Sequence, residues 1–223
     1  MRGPLLSTFV VATIGLAGPA LAQDPVKTDP DKYKVVAENE RVRVLKATLA
    51  AGAKTKMHEH PDTFVTFLND VNVRHTMPDG TAQDRKGAAN EVLFIPAGKH
   101  QSENLGAAIE VMIVELKGAG KKAATTGAPA APPARAHETS TTLVTNDRGN
   151  AVRLKVEPGF AEAAGSTHDW DTVVVPITHN LISLTMGGKT TMLRRGEAYL
   201  IPKGTAHHAK AAAAGEATVI RIQ

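Results

Sequence analysis

The chain has 223 residues, 42% hydrophobic and 4% aromatic, with no cysteine and a formal charge of +4. That length holds one large domain or two small ones with aliphatic cores, and the absence of cysteine excludes disulfides and thiolate metal sites. The basic residues are scattered without a long run, which excludes a dedicated nucleic-acid surface.

The chain opens on the pattern of a secretory signal. Arg2 is a positive n-region, Leu5 to Ala17 is mostly apolar, and Ala20-Leu21-Ala22 is an A-x-A cleavage site before Gln23. The apolar run is short for a membrane span and ends in a cleavage motif rather than a charged stop. The expectation is a bacterial Sec-type signal over 1–22 and a periplasmic or secreted protein. After cleavage, no stable membrane insertion is expected. Loss of Arg2 takes the charge from +4 to +3.

Residues 23 to about 32 are polar and proline-punctuated, a short leader. Strand patterns follow: Val42-Arg43-Val44-Leu45, Phe64 to Leu68, the alternating Val71 to Met77, a turn at Pro78-Asp79-Gly80, then Val92 to Ile95 and Ile109 to Leu116. No stretch here has a helical period. Residues 118–139 are rich in Ala, Pro, Gly and Thr with nothing to bury, the composition of a flexible linker. Residues 140–223 return to short strands.

Three histidines stand out. His58 and His60 are one residue apart, so on a strand their side chains share one face. His100 follows the turn Pro96-Ala97-Gly98, where proline fixes φ and glycine permits a positive one. A third imidazole brought back beside the first two makes a three-nitrogen face with open positions, the construction of a catalytic transition-metal site.

The second half repeats the first. Val42-Arg43-Val44 aligns with Val152-Arg153-Leu154, and the same offset of 110 places His168 at the position of His58. Glu91 to Gly98 aligns with Glu197 to Gly204 at an offset of 106, and His207 then corresponds to His100. Two ordered landmarks at nearly equal offsets point to a duplicated domain.

These landmarks resemble the two motifs of the cupin superfamily: Gly52 with His58-Glu59-His60, and Pro96-Ala97-Gly98-Lys99-His100 through Asn104, with Gly196 to His207 in the second copy. The chain resembles a bicupin, and its first repeat is similar to small exported cupin-2-type proteins. The resemblance implies an all-β fold of two cupin-type jelly-roll barrels (double-stranded β-helices). Residues 31–117 form an N-terminal cupin domain with the metal site, and 140–223 a degenerate C-terminal one. Each barrel encloses a cavity.

The pattern departs from the family at informative places. Where cupin sites often add a glutamate, Phe64 and Val65 stand, which leaves a three-histidine arrangement like that of certain cupin dioxygenases. Asp62 is a weaker ligand candidate, and Glu59 should point away as a surface charge. In repeat two, Trp170 replaces the middle ligand, leaving His168 and His207 as weaker candidates with Asp171 as the substitute. His75 shares parity with Val71 and Val73 and could line the cavity, although a satisfied or exposed strand histidine is the leading expectation. Phe64, Phe67, Phe94 and Met112 are candidates for cavity wall or equally for core, and no general acid or base is evident beside the histidines.

Neutral imidazoles suit one divalent transition metal, Fe(II) favoured, with Mn, Ni, Cu or Zn equally compatible with the ligand type. The partner implied is a small-molecule ligand or substrate, in a monomer with paired barrels or a homodimer. The leading expectation is a metal-dependent oxygenase acting on a small chelating substrate. The alternative is a non-enzymatic periplasmic small-molecule or metal-binding protein. Hydrolysis by a metal-bound water is a third reading, for which no assisting glutamate is placed.

Overall fold

A computed structural model describes residues 23–118, 135–179 and 181–223. The expected signal over 1–22 and most of the expected linker lie outside the described residues. A short helix, α1 (Pro25–Thr28), precedes nine strands: β1 (Tyr33–Glu38), β2 (Val42–Leu49), β3 (His58–His60), β4 (Thr63–Phe67), β5 (Val71–Thr76), β6 (Ala82–Gly87), β7 (Val92–Ile95), β8 (Gly98–Asn104) and β9 (Ile109–Leu116). The second half adds β10 (Glu138–Asn146), β11 (Gly149–Val156), β12 (Asp171–Pro176), β13 (Ile182–Met186), β14 (Lys189–Met192), β15 (Tyr199–Ile201), β16 (His207–Ala211) and β17 (Gly215–Ile222).

The halves share one topology. The first has sheets β1-β2-β9-β4-β7 and β3-β8-β5-β6; the second has β10-β11-β17-β12-β15 and β14-β13-β16. Strand for strand the orders match, except that repeat two lacks a counterpart of β3. There the chain makes only a single bridge, Ser166 to His207. The sequence had marked this degeneracy through Trp170.

The central strands β4, β9, β12 and β17 of the five-stranded sheets are buried on both faces, which is why they read as largely apolar runs, whereas the edge strands β1 and β10 are mostly exposed. β4 is buried at all five positions. Its alternation sends Thr63, Val65 and Phe67 to the interior of the first barrel, while Phe64 faces the second repeat. One hydrophobic cluster joins Val42, Val44, Phe64, Met112, Val114 and Leu116 to Val173, Val175, Ile220 and Ile222. The barrels are therefore paired through a common core. Polar contacts rim it: Arg148 on Asp62 at 2.7 Å, Arg41 on Asp171 at 3.3 Å, and Arg153 donating to the Asn90 carbonyl at 2.5 Å.

The leader carries structure of its own. Asp24 caps α1 by accepting from Val26 N, and Pro25 stands in the first turn, where its missing N–H costs nothing. The Asp29 carboxylate accepts from Lys56 N at 2.7 Å, and Gln23 O accepts from Glu59 N at 2.9 Å. The segment is thereby tied across the histidine strand, with Pro25 in the cavity wall. Among the described residues no helix is long and apolar enough to cross a membrane.

Candidate metal centres in two barrels

β3 pairs antiparallel with β8, setting His58 opposite His100 and His60 opposite Gly98. The strand period does what the spacing implies: His58 is buried, Glu59 exposed and His60 half-buried. His58 and His60 each pack edge-on to His100, with ring centroids 4.8 and 5.0 Å away. Gly98 lacks the positive φ expected of it. It begins β8 in extended form, and a Cβ there would stand 3.9 Å from His60 Nε2.

The hydrogen bonds decide the tautomers. His58 Nδ1 meets the Lys56 carbonyl at 3.0 Å and His60 Nδ1 the Pro61 carbonyl at 2.8 Å. A carbonyl only accepts, so both Nδ1 atoms carry a proton, and in the neutral ring the lone pair is then at Nε2. Backbone carbonyls holding the far nitrogen are the usual support of metal-ligating histidines. Burial holds His58 below its ordinary pKa, and takes His100 down to about 3, with His58, His75 and His60 adding repulsion. Both shifts favour the neutral imidazole, the form that ligates metals.

Three further residues belong to this cavity. His75 is not an independent strand histidine: its ring packs on His100 at 4.8 Å and its Nδ1 meets Ser102 Oγ at 3.0 Å. The parity it shares with Val71 and Val73 is the inward parity. Glu115 lines the cavity from β9, buried, with Oε2 on Arg43 at 2.6 Å and Oε1 without a partner. Burial pushes its carboxyl pKa up against the pull of Arg43, so an acid or base does stand in this barrel after all. Tyr33 places its hydroxyl 3.5 Å from His58 Nε2. Among the described residues no three barrel-one ligand atoms stand within 4.8 Å of one another.

Other expectations are corrected. Asp62 turns outward, bonded to Arg148 and to Ala97 N, because Pro61 ends β3 and resets the alternation. Of the proposed cavity walls only Phe67 lines the cavity; Phe64, Phe94 and Met112 belong to the core between the barrels. The remaining wall is aliphatic, including Leu45, Val65, Val73, Val111 and Ile113, around a volume of about 110 Å³.

In barrel two, His168 and His207 do converge, with ring centroids 4.5 Å apart. Asp171 does not join them: it is buried among Asn39, Arg41 and Lys203 N. The carboxylate comes instead from Glu162, and ligand atoms of Glu162, His168 and His207 all lie within 4.8 Å of one another. At the offset of 110, Glu162 stands where repeat one has Gly52, a place no motif marks for a ligand.

The sequence matches no protein-family model and no curated protein. Solved structures do match. A cupin 2 conserved barrel domain protein from Leptotrichia buccalis is 13% identical, over 86% of this chain and 88% of that one, with a TM-score of 0.59. A salicylate 1,2-dioxygenase from Pseudaminobacter salicylatoxidans is 11% identical over 82% and 71%, with a TM-score of 0.62. A structure of that dioxygenase with gentisate is 12% identical over 82% and 69%, with a TM-score of 0.59. The fold is the cupin fold. This chain carries it twice, as a jelly-roll pair with a group of metal-competent side chains.

Proposed function

We propose that this is an exported metal-dependent oxygenase whose reaction centre lies in the first barrel, with His58, His60 and His100 as the metal ligands and His75 beside them. The observation that carries the reading is the pair of carbonyl-held Nδ1 atoms, which leaves Nε2 of His58 and of His60 for a ligand in a largely aliphatic cavity. A divalent transition metal held there supplies the redox chemistry that lets O₂ react with an organic molecule. The chain supplies the rest. Its aliphatic wall excludes water and leaves few polar groups to compete for the substrate. Glu115, held protonated more readily than an ordinary carboxyl, can give or take a proton at Oε1 while Arg43 fixes Oε2.

The cavity volume narrows the substrate. At about 110 Å³ it is smaller than the roughly 150 Å³ that admits a benzene ring. That favours a short aliphatic chelator, such as a small diketone or thiol, over catechols. The dioxygenase neighbours, one solved with gentisate, support the reaction class at the level of fold. In a dioxygenation both atoms of one O₂ enter the substrate, so no external reductant is consumed.

The test is O₂ uptake by the Fe(II)-loaded protein with a panel of diketones, thiols and catechols. Uptake with a short chelator, lost in His58→Ala/His60→Ala, is expected. Loaded protein that consumes no O₂ with any of them would leave a metal-binding or small-molecule-binding protein.

A further inference from the structure

The second barrel looked like a degenerate copy, but its cavity concentrates unsatisfied chemistry. Glu138 Oε2, Trp170 Nε1, His207 Nε2 and Arg221 Nη1 are all buried without a hydrogen-bond partner, and all four residues line one cavity of about 260 Å³. Buried polar atoms are nearly always paired, so four orphans around one space point to a bound group that pairs them.

The strongest indication is at His207. Its Nδ1 meets the Thr205 carbonyl at 2.8 Å, so Nδ1 carries a proton and Nε2 is the nitrogen left for a ligand. That Nε2 is buried and faces Glu162 Oε2 at 3.7 Å. A metal ion placed between them pairs both atoms, and His168 converges on the same point, with the ligand atoms of all three residues within 4.8 Å of one another. His168 completes the set from the other side, its Nδ1 held by Thr172 Oγ1 at 2.9 Å and its ring stacked on Trp170. Glu162 is itself held in place, by Arg135 on Oε1 at 2.5 Å and Ala209 N on Oε2 at 2.9 Å.

We infer that barrel two holds a second metal centre, a divalent transition metal bound by Glu162, His168 and His207. Two histidines and one carboxylate form a facial set with open positions. Small rotamer adjustments close the 4.8 Å spread onto metal–ligand bonds of about 2.0–2.2 Å. The same cavity is lined by Arg221, a buried guanidinium lying on the Trp170 ring at 5.9 Å. Arg221 interacts electrostatically with Glu138 and Arg135 but hydrogen-bonds neither. The ligand completing the coordination is therefore an anion, such as a carboxylate. This centre does not depend on the assignment made for barrel one.

The test uses the full purified protein stripped of metal and reloaded with Co(II), with metal counted per chain and the visible spectrum recorded. His58→Ala/His60→Ala/His100→Ala should retain one Co(II) per chain, and adding Glu162→Gln should weaken that site at least tenfold. If Glu162→Gln fails to fold, His168→Ala in the same background gives the same readout from a partly exposed position. Oxalate should shift the Co(II) spectrum of the barrel-one variant, with at least tenfold lower affinity in Arg221→Met. A barrel-one variant that binds no Co(II), or one whose site is unaffected by both Glu162→Gln and His168→Ala, would overturn the second centre. An unresponsive spectrum would overturn the anion. Failure of the barrel-one assignment would look different: the triple variant would bind as much metal as the parent.

Discussion

Replacing Phe64 with alanine tests whether the two barrels are one cooperative body. Phe64 has 0% exposure and packs edge-on to Phe94 at 5.2 Å, inside a cluster whose other side is Val173, Val175, Ile220 and Ile222. Truncating a buried phenylalanine costs about 3–5 kcal/mol, and the aromatic pair places this site toward the upper end. In a chain of this size each kcal/mol lowers Tm by about 2–4 °C, so the variant should melt roughly 10 °C or more below the parent. The chain's single tryptophan, Trp170, lies in the second barrel and gives the assay. Although the substitution is in the first repeat, Trp170 fluorescence should report the lowered midpoint, coincident with the loss of circular dichroism. Metal per chain should not change, since Thr63 and Val65 line the cavity and Phe64 does not. A Trp170 transition that stays at the parent temperature while an earlier one appears by circular dichroism would refute the shared core.

Other expectations concern the sites. Tyr33→Phe removes the hydroxyl that engages His58 Nε2 at 3.5 Å; a neutral hydrogen bond nets about 0.5–1.5 kcal/mol, so barrel-one metal affinity by calorimetry should rise roughly threefold to tenfold. Weaker binding would show that Tyr33 supports the ligand instead of competing with the metal. Asp62→Ala leaves Arg148 without its carboxylate and should cost about 1–3 kcal/mol with no change in bound metal, and a loss of metal would restore Asp62 as a ligand. In metal-stripped protein, His100 stays neutral down to about pH 3 when folded but takes up a proton near pH 6.5 when unfolded. The unfolded state thus binds more protons between those values, and stability falls as pH drops through that window, by at most about 3 kcal/mol at pH 4. Urea midpoints at pH 7 and pH 4 measure this; a His100→Gln variant should show a flatter dependence, and an equal slope would exclude His100 as the source.

The predicted features that held were local ones. His58 and His60 share a face because strand alternation is set within the segment, and Glu59 is exposed for the same reason. The matching halves were visible because each landmark repeats in order. His75 was visible in its parity, yet the parity alone did not say that β8 would bring His100 against it.

Much of the rest was set by partners distant in sequence. Phe64 and Val65 are adjacent apolar residues, and nothing local says that one faces a cavity and the other a second barrel; the pairing of the repeats decides it. Glu115 and Tyr33 enter the first cavity through strands far from the histidine motif, and the outward-turned Asp62 finds its partner in Arg148, 86 residues away. Glu162 shows the limit most clearly. Its place in the repeat belongs to a turn glycine, and only the folding of His207 toward it gives a carboxylate and an imidazole a common centre. By itself the sequence determined the strands, their duplication and three histidines on one face, because those follow from short-range periodicity. Only the tertiary structure decided which faces became cavity and which became core, because burial of a two-sided strand depends on what packs against each side.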